Sequence, residues 1–168
     1  MLSDAGHALR YIAKFKSQDF HKASKMPHAA KILIVDDDVA EATLTRLTLQ
    51  AVQIGDHIEH ARDGHTGLSR MNEAAQAGVP FNIVILDIEM PGLNGCETLD
   101  KIRATDALNA TFVAIFTSLI CADQCPRNSN ACAKKADIYL HKEADIGEFE
   151  MEIGKILSAY RNHSYKIS

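Results

Sequence analysis

The sequence lacks the features of a membrane, secreted or repeat protein. None of its 168 residues belong to an uncharged apolar run as long as a membrane span, so we expect no membrane partner. Residues 1–16 carry charges where a signal peptide needs an apolar block, and we therefore expect a cytoplasmic protein. Repeats at solenoid periods and low-complexity tracts are also absent.

An excess of basic residues is missing as well. The 18 Lys and Arg residues are outnumbered by 22 Asp and Glu residues, which gives a net charge of −4. Residues 1–30 carry five basic and two acidic residues, a charge of +3, whereas residues 31–168 carry 13 and 20, a charge of −7. An acidic body repels a phosphate backbone, so we expect no nucleic-acid partner. Hydrophobic residues at 46% and charged residues at 24% are typical of a globular domain rather than a disordered chain.

Cysteine is scarce, and its spacing matches no zinc module. The four cysteines are Cys96, Cys121, Cys125 and Cys132. Because no export signal is present, we expect reduced thiols, and for the last three a redox-active or dimer-forming disulfide is the alternative. His57, His60 and His65 do not converge on one point, so we expect surface histidines rather than metal ligands.

What the sequence does contain is a regular alternation of strand and helix patterns. Short apolar runs predict strands at 31–35, 57–61, 81–86, 111–116 and 137–141. Helical spacing predicts helices at 39–52, 66–77, 96–105, 119–135 and 145–160. This alternation predicts a parallel sheet with helices on both faces. Residues 1–30 are left as an N-terminal extension of unknown role, and residues 161–168 as a C-terminal tail.

Polar residues follow four of the predicted strands directly. Asp36 and Asp37 follow the first strand, Asp87 the third, Thr117 the fourth and Lys142 the fifth. The carboxyl ends of parallel strands meet at one edge of the sheet, where open α/β sheets bind ligands. Clustered carboxylates repel one another unless a cation lies among them, and we expect Mg²⁺ there. A carboxylate nucleophile beside a metal, a hydroxyl and an ammonium group suits phosphoryl transfer.

Four segments carry a resemblance to a known family. They read ILIVDDD, VILDIEMPGLNG, FVAIFTS and ADIYLHKE, in this order along the chain. Together they resemble the response-regulator receiver domain over residues 31–160. The resemblance implies a flavodoxin-like (βα)5 three-layer sandwich with parallel strand order 2-1-3-4-5. It also implies a signalling protein rather than an enzyme. Such a protein takes a phosphoryl group from a phosphohistidine of a histidine kinase or a histidine phosphotransfer protein.

The resemblance assigns metal and acceptor roles to individual residues. Asp87 matches the aspartate that is phosphorylated. Asp36 and Asp37 match the acidic pair that holds Mg²⁺ together with it. Glu89 matches the position whose backbone carbonyl completes the metal shell.

Other residues match positions that act in switching and in the lifetime of the phosphoryl group. Thr117 matches the switch hydroxyl, and Lys142 matches the lysine that contacts the acyl phosphate. Tyr139 matches the aromatic residue that moves between outward and inward rotamers. Glu89 and Leu119 lie two residues beyond Asp87 and Thr117, and we expect their side chains to tune the lifetime of the phosphoryl group.

The sequence departs from the family pattern near its last strand. Glu143 follows Lys142 where the family usually has proline, often with a cis bond. A non-proline cis bond costs about 3 kcal/mol, so this bond is either trans or held by tertiary contacts. The segment between Thr117 and Lys142 is longer than is usual for the family and contains Pro126, which predicts a shortened or reshaped helix.

Two other functions compete with that of a phosphorylated receiver. ILIVDDDVA is also similar to the start of a haloacid-dehalogenase-type phosphohydrolase, in which Asp36 is the nucleophile and Asp38 the general acid or base. That function leaves Asp87 without a role, and we expect Asp38 to be a helix cap instead. A receiver-like interaction module that is never phosphorylated is the other alternative. We favour a single-domain receiver that binds a downstream protein or relays its phosphoryl group, with a homodimer as an open possibility.

Overall fold

A five-stranded parallel sheet forms the centre of the fold. The structure is a computed structural model that describes residues 30–51, 57–118, 132, 134–142 and 145–167. The strands are β1 Lys31–Val35, β2 His57–Ala61, β3 Ile83–Leu86, β4 Phe112–Thr117 and β5 Ile138–His141. Their order is β2-β1-β3-β4-β5, and every neighbouring pair is parallel. The predicted fold class and strand order are therefore confirmed.

The middle strands are buried on both faces of the sheet. Leu33 and Val35 of β1 belong to one hydrophobic cluster, whereas Ile32 and Ile34 belong to a second cluster on the opposite face. Strands that are apolar at every position are typical of a parallel sheet covered on both sides.

Helices cover the two faces of the sheet in pairs. Among the described residues the helices are α1 Val39–Ala51, α2 Gly64–Gln76, α3 Gly95–Ala104 and α4 Ile146–Ile167. Met71 of α2 and Leu99 of α3 lie in the cluster that contains Leu33, while Leu49 of α1 and Ile153 of α4 lie in the other. Each fully buried side chain of this kind stabilises the fold by about 1.5–3 kcal/mol. The three-layer arrangement agrees with the prediction.

Local polar residues determine where two of the helices begin. The Asp63 carboxylate accepts a hydrogen bond from the backbone N–H of Thr66 at 2.8 Å, at the start of α2. At the start of α3, the Asn94 side chain accepts the backbone N–H of Glu97 at 2.9 Å, and the Glu97 side chain accepts that of Asn94 at 3.3 Å. Caps of this type stabilise a helix end by about 1 kcal/mol.

The register of the strands places the polar residues at one edge of the sheet. Val35 of β1 lies opposite Leu86 of β3, so Asp36 and Asp87 leave their strands side by side. Lys142, which follows β5, reaches this edge with its side chain and pairs with both aspartates. The fold thus collects residues that are far apart in the sequence.

The last helix is longer than predicted. The sequence predicts a helix at 145–160 and a separate tail at 161–168, whereas α4 continues to Ile167. The ring of His163 packs edge-on against Phe112, with ring centroids 5.5 Å apart. This tertiary contact holds turns of the helix that the amphipathic pattern did not indicate.

Some predictions concern residues outside the described part of the chain. The residues concerned are 1–29, most of the predicted helix at 119–135, Leu119 and Glu143. Within the described residues, no helix has the length and apolar character needed to cross a membrane.

A disulfide bond joins Cys96 and Cys132. Their Cα atoms are 5.5 Å apart, which is a usual separation for disulfide-bonded cysteines. The expectation of reduced thiols is therefore wrong for this pair. The two residues are separated by 36 positions in the sequence, and only the packing of α3 beside residue 132 brings them together. Cys121 and Cys125 lie outside the described residues.

Candidate functional site

Asp87 lies at the centre of the edge formed by the strand ends. It follows the central strand β3, and its backbone N–H donates to the carbonyl of Val35 at 2.9 Å. Only 6% of the residue is exposed. Its carboxylate is hydrogen-bonded by the side chain of Thr117, but its Oδ1 atom is buried without a hydrogen bond. A buried carboxylate oxygen of this kind is costly unless a cation lies beside it.

Gly95 makes the close approach that shapes the loop after Asp87. Its backbone N–H donates to the carbonyl of Ile88 at 3.1 Å. A Cβ atom at position 95 would lie 2.1 Å from the backbone carbonyl oxygen of Asp87, so a larger residue would displace this part of the site.

Asp36 and Asp37 lie next to Asp87 at the end of β1. Asp36 is buried and Asp37 is exposed. One carboxylate oxygen from each of the three aspartates lies within 4.8 Å of the other two. The Oδ1 atom of Asp36 is oriented by the backbone N–H of Asp38, which donates to it at 2.9 Å. The structure therefore brings together all three carboxylates that the sequence predicts as metal ligands.

Asp38 belongs to the start of α1 rather than to this cluster. Its Oδ1 atom accepts the backbone N–H groups of Ala40 at 2.7 Å and Glu41 at 3.1 Å. The hydrogen bonds from Glu41 and Ala40 hold the pKa of Asp38 below its ordinary value. The predicted helix cap is confirmed, and the carboxylate is not placed to serve as the acid or base of a phosphohydrolase.

Lys142 supplies the positive charge of the site. Its Nζ atom donates to Asp36 Oδ2 at 2.8 Å and to Glu41 Oε2 at 2.5 Å, and it lies 3.4 Å from Asp87 Oδ1. Burial by itself lowers the pKa of the ammonium group, but the hydrogen bonds to Asp36 and Glu41 outweigh it and raise the pKa above its ordinary value. Lys142 is therefore charged at neutral pH.

Negative charge nevertheless exceeds positive charge in this site. Burial raises the pKa of both Asp36 and Asp87, although the neighbouring Lys142 acts to lower each of them. One ammonium group cannot neutralise these two carboxylates together with that of Asp37. Mg²⁺ is bound through carboxylate oxygens, and the excess charge and the Oδ1 atom of Asp87, which accepts no hydrogen bond, fit this ion.

The remaining predicted residues occupy varied surroundings. Glu89 is exposed beside the loop after β3, and Tyr139 of β5 is half-buried against the cluster that contains Leu33. His57 and His65 are exposed, in agreement with the prediction of surface histidines.

Sequence reasoning missed three residues that contact a side chain of the site or the backbone at the strand ends. Glu41 binds Lys142 from the first turn of α1. The Nε2 atom of His60 lies 2.8 Å from the backbone carbonyl oxygen of Asp36, and that of His141 lies 2.8 Å from the carbonyl oxygen of Ser118. His60 is half-buried, unlike the surface histidine that was predicted. These contacts join separate strands and helices, so no local sequence pattern indicates them.

The fold and the acidic edge define an α/β protein of the flavodoxin-like class, and comparison with protein families gives its family. The family model of the response regulator receiver domain matches residues 32–153. The chain therefore belongs to the response regulator receiver family of two-component signalling. This result confirms the resemblance stated from the four segments and removes the support for the phosphohydrolase alternative.

Curated relatives agree with this family. FilR2 of Methanothrix harundinacea, a probable methanogenesis regulatory protein, is 28% identical over 127 residues, covering 74% of this chain and 79% of that protein. The two-component response regulator ORR41 of Oryza sativa subsp. japonica is 28% identical over 93 residues, covering 55% and 70%. A CpxR homolog of Haemophilus influenzae, a transcriptional regulatory protein, is 40% identical over 74 residues, covering 44% of this chain. The aligned part covers only 29% of the CpxR homolog.

Solved structures show the same fold. The phosphorylated cyanobacterial phytochrome response regulator RcpA superimposes with a TM-score of 0.67 at 20% identity, covering 79% of this chain and 94% of that chain. The response regulator TrrA of Thermotoga maritima, in complex with Mg(2+)-BeF, gives a TM-score of 0.58 at 26% identity, covering 75% and 97%.

Proposed function

We propose that Asp87 accepts a phosphoryl group from a phosphohistidine of a histidine kinase or a histidine phosphotransfer protein. The observation that carries this proposal is the Oδ1 atom of Asp87, which is buried without a hydrogen bond and lies 3.4 Å from the Lys142 ammonium group. An oxygen that is not engaged by a strong donor keeps a lone pair for nucleophilic attack.

Phosphoryl transfer follows from the placement of the charged groups. An oxygen of Asp87 attacks phosphorus and forms a phosphorus–oxygen bond while the phosphorus–nitrogen bond of the phosphohistidine breaks. The histidine leaves with the bonding electron pair. Lys142 and Thr117 then face the oxygens of the transferred group, where an ammonium and a hydroxyl group stabilise negative charge.

Asp36 and Asp37 hold Mg²⁺ together with Asp87 and the backbone carbonyl of Glu89 in this proposal. When bound, the ion neutralises charge on the transferred oxygens. Support comes from the convergence of the three carboxylates within 4.8 Å, since clustered carboxylates repel one another without a cation.

Thr117 and Tyr139 carry the signal away from the site. A phosphoryl group adds about −1.5 to −2 charges at neutral pH, and the Thr117 hydroxyl, which hydrogen-bonds the Asp87 carboxylate, moves its hydrogen bond to the oxygens of this group. Tyr139, which is half-buried beside the sheet, moves into the space that Thr117 leaves. The two arrangements differ in the surface near β4 and β5, so phosphorylation shifts the population that a partner binds.

Glu89 and Leu119 set the lifetime of the phosphoryl group. Glu89 is exposed near Asp87, where its side chain can meet the water that hydrolyses the aspartyl phosphate. Replacement of either residue by alanine is expected to change the measured half-life of the phosphoprotein, and an unchanged half-life for both would refute this role.

Residues 31–160 form the functional receiver unit in this proposal, with residues 1–30 as an extension. We infer a cytoplasmic receiver that acts through a downstream protein or a phosphorelay, and that can form a homodimer. The charge of −7 on residues 31–168 supports a protein partner over a nucleic acid.

Intact-mass measurement after incubation with acetyl phosphate and Mg²⁺ tests the acceptor. We expect a single phosphate adduct on the wild type and none on Asp87→Asn. Asp106→Asn is a matched control because Asp106 is an exposed loop residue outside the site, and it should be labelled like the wild type. An unlabelled wild type would favour the unphosphorylated interaction module instead.

A further inference from the structure

Lys142 is held by a carboxylate that belongs to neither the predicted acceptor nor the predicted metal pair. Glu41 Oε2 lies 2.5 Å from Lys142 Nζ. Glu41 lies in the first turn of α1, and its side chain is 41% exposed, whereas that of Lys142 is 6% exposed. The contact therefore joins a buried ammonium group to a carboxylate at the solvent boundary.

Two of the donors of Lys142 are engaged by carboxylates in this arrangement. An ammonium group has three N–H bonds. Its described hydrogen-bond partners are Asp36 at 2.8 Å and Glu41 at 2.5 Å. The Asp87 Oδ1 atom lies 3.4 Å away in an ion pair and accepts no hydrogen bond. A phosphoryl group on Asp87 adds anionic oxygens that compete with these two carboxylates for the ammonium group, so Lys142 binds them more strongly when it releases one partner.

Glu41 is the partner that is released most easily. The side chains of Asp36 and Asp87 are 5% and 6% exposed, so loss of the lysine would leave a buried charge uncompensated. The Glu41 carboxylate is accessible to water, which can replace the lysine as its hydrogen-bond partner.

We propose that Glu41 is a positioning residue that holds Lys142 in the unphosphorylated protein and competes with the phosphoryl group for its ammonium. The proposal rests on phosphorylation of Asp87 and adds a control on its rate. Glu41 opposes phosphorylation in two ways: it occupies a donor of Lys142, and it places a fourth carboxylate beside the path of an anionic phosphodonor.

Removing the charge of Glu41 separates this role from helix stabilisation. An acidic residue in the first helical turn stabilises the helix, so a purely structural Glu41 would affect unfolding but not phosphorylation. In Glu41→Gln the ion pair with Lys142 is lost, and we expect phosphorylation by acetyl phosphate to be about two- to fivefold faster, the upper part of the range for loss of a partly exposed ion pair.

Glu41→Asp distinguishes reach from charge. Aspartate keeps the negative charge but is shorter by one methylene group, so it cannot span the distance to Lys142 without movement of α1. If occupation of the Lys142 donor is the main effect, this variant accelerates labelling as Glu41→Gln does. If Glu41→Asp is labelled at the wild-type rate, only the negative charge near the phosphodonor matters. That result would overturn the proposal that Glu41 holds Lys142.

The experiment compares initial labelling rates of the wild type, both Glu41 variants and Glu73→Gln. Glu73 is an exposed glutamate of α2 whose carboxylate accepts a hydrogen bond from Ser69, so its neutral variant should match the wild type. A second readout is the NMR signal of the Lys142 ammonium group. In Glu41→Gln it should move toward its position in the wild type bound to Mg²⁺ and beryllofluoride.

The outcomes separate the two proposals. An unlabelled wild type refutes Asp87 as acceptor, and the positioning role with it. A labelled wild type with a Glu41→Gln rate within twofold of it, and an unchanged Lys142 signal, refutes the role of Glu41 alone.

Discussion

At the scale of single residues, Asp87 shows a conflict between function and stability. Its carboxylate is buried and its Oδ1 atom has no hydrogen bond. Buried polar atoms in folded proteins normally have a hydrogen-bond partner. Burial raises the pKa of Asp87 above its ordinary value, although Lys142 and Thr117 act to lower it. A group with a raised folded-state pKa stabilises the fold only at low pH, and this contribution is lost as the pH rises through the folded-state pKa.

Asp87→Asn should therefore stabilise the metal-free protein at neutral pH. Without Mg²⁺ at pH 7, we expect its free energy of unfolding to exceed that of the wild type by about 1–2 kcal/mol, because the buried charge is gone. The difference should shrink as the pH falls toward the ordinary aspartate pKa of about 3.9, since wild-type Asp87 then becomes neutral. Urea unfolding in EDTA at several pH values measures this, and a difference that grows at low pH would contradict it.

Lys142 has the opposite effect on stability. Its removal leaves the buried carboxylates of Asp36 and Asp87 without a counter-charge, so Lys142→Met should lower the free energy of unfolding by about 3–5 kcal/mol at pH 7. The matched control is Lys135→Met, because Lys135 pairs with Asp100 at 2.6 Å while both side chains are about half exposed. We expect this control to cost at most about 1 kcal/mol. Equal effects of the two substitutions in chemical unfolding would show that burial of the Lys142 pairs adds nothing.

At the scale of elements, the loop between β3 and α3 depends on a close backbone approach. Gly95 begins α3, and a Cβ atom there would meet the Asp87 carbonyl oxygen at 2.1 Å. Because Gly95 has no side chain, the start of α3 can pack against the end of β3, and a larger residue would keep the two apart.

Gly95→Ala should destabilise the protein by about 1–3 kcal/mol through this overlap, and it should slow labelling of Asp87. Gly154→Ala is the matched control, because Gly154 lies within α4 and a Cβ atom there meets nothing within 4 Å. Alanine at position 154 should stabilise the helix by up to about 1 kcal/mol. Thermal unfolding of both variants checks the opposite signs, and a stabilised Gly95→Ala protein would disprove the close approach.

At the scale of the whole molecule, the Cys96–Cys132 disulfide links α3 to the segment before β5. The loop that follows Asp87 leads into α3, and the segment that contains Cys132 leads into β5, which Lys142 follows. A covalent link mainly restricts the unfolded chain, and the restriction grows with the length of the closed loop.

Reduction of this disulfide should lower the free energy of unfolding by about 4 kcal/mol, the chain-entropy value for a loop of this length. Urea unfolding of the oxidised and the reduced protein measures the difference, and mass spectrometry after thiol alkylation reports the state of each cysteine. Cys96→Ala serves as the control, because its stability should not respond to a reductant. Alkylation of Cys132 in the untreated wild type would contradict the bond.

Strand positions and the acidic edge were predictable from the sequence by itself, because they depend on local signals. The apolar runs of β1 and β3 are continuous, and each is followed at once by aspartate, so burial and the parallel arrangement bring Asp36 and Asp87 to one edge. The end of α4 was less predictable, since its last turns depend on the contact of His163 with Phe112.

The tertiary structure alone decided which side chains meet across long stretches of sequence. Lys142 and Glu41 are 101 residues apart, and Cys96 and Cys132 are separated by 36. Neither pair has a local pattern, because a side-chain contact between elements depends on how the helices pack against the sheet rather than on the residues nearby. The sequence determined the sheet and its acidic edge, and the packing of α1 and α3 determined what holds Lys142 and which cysteines are joined.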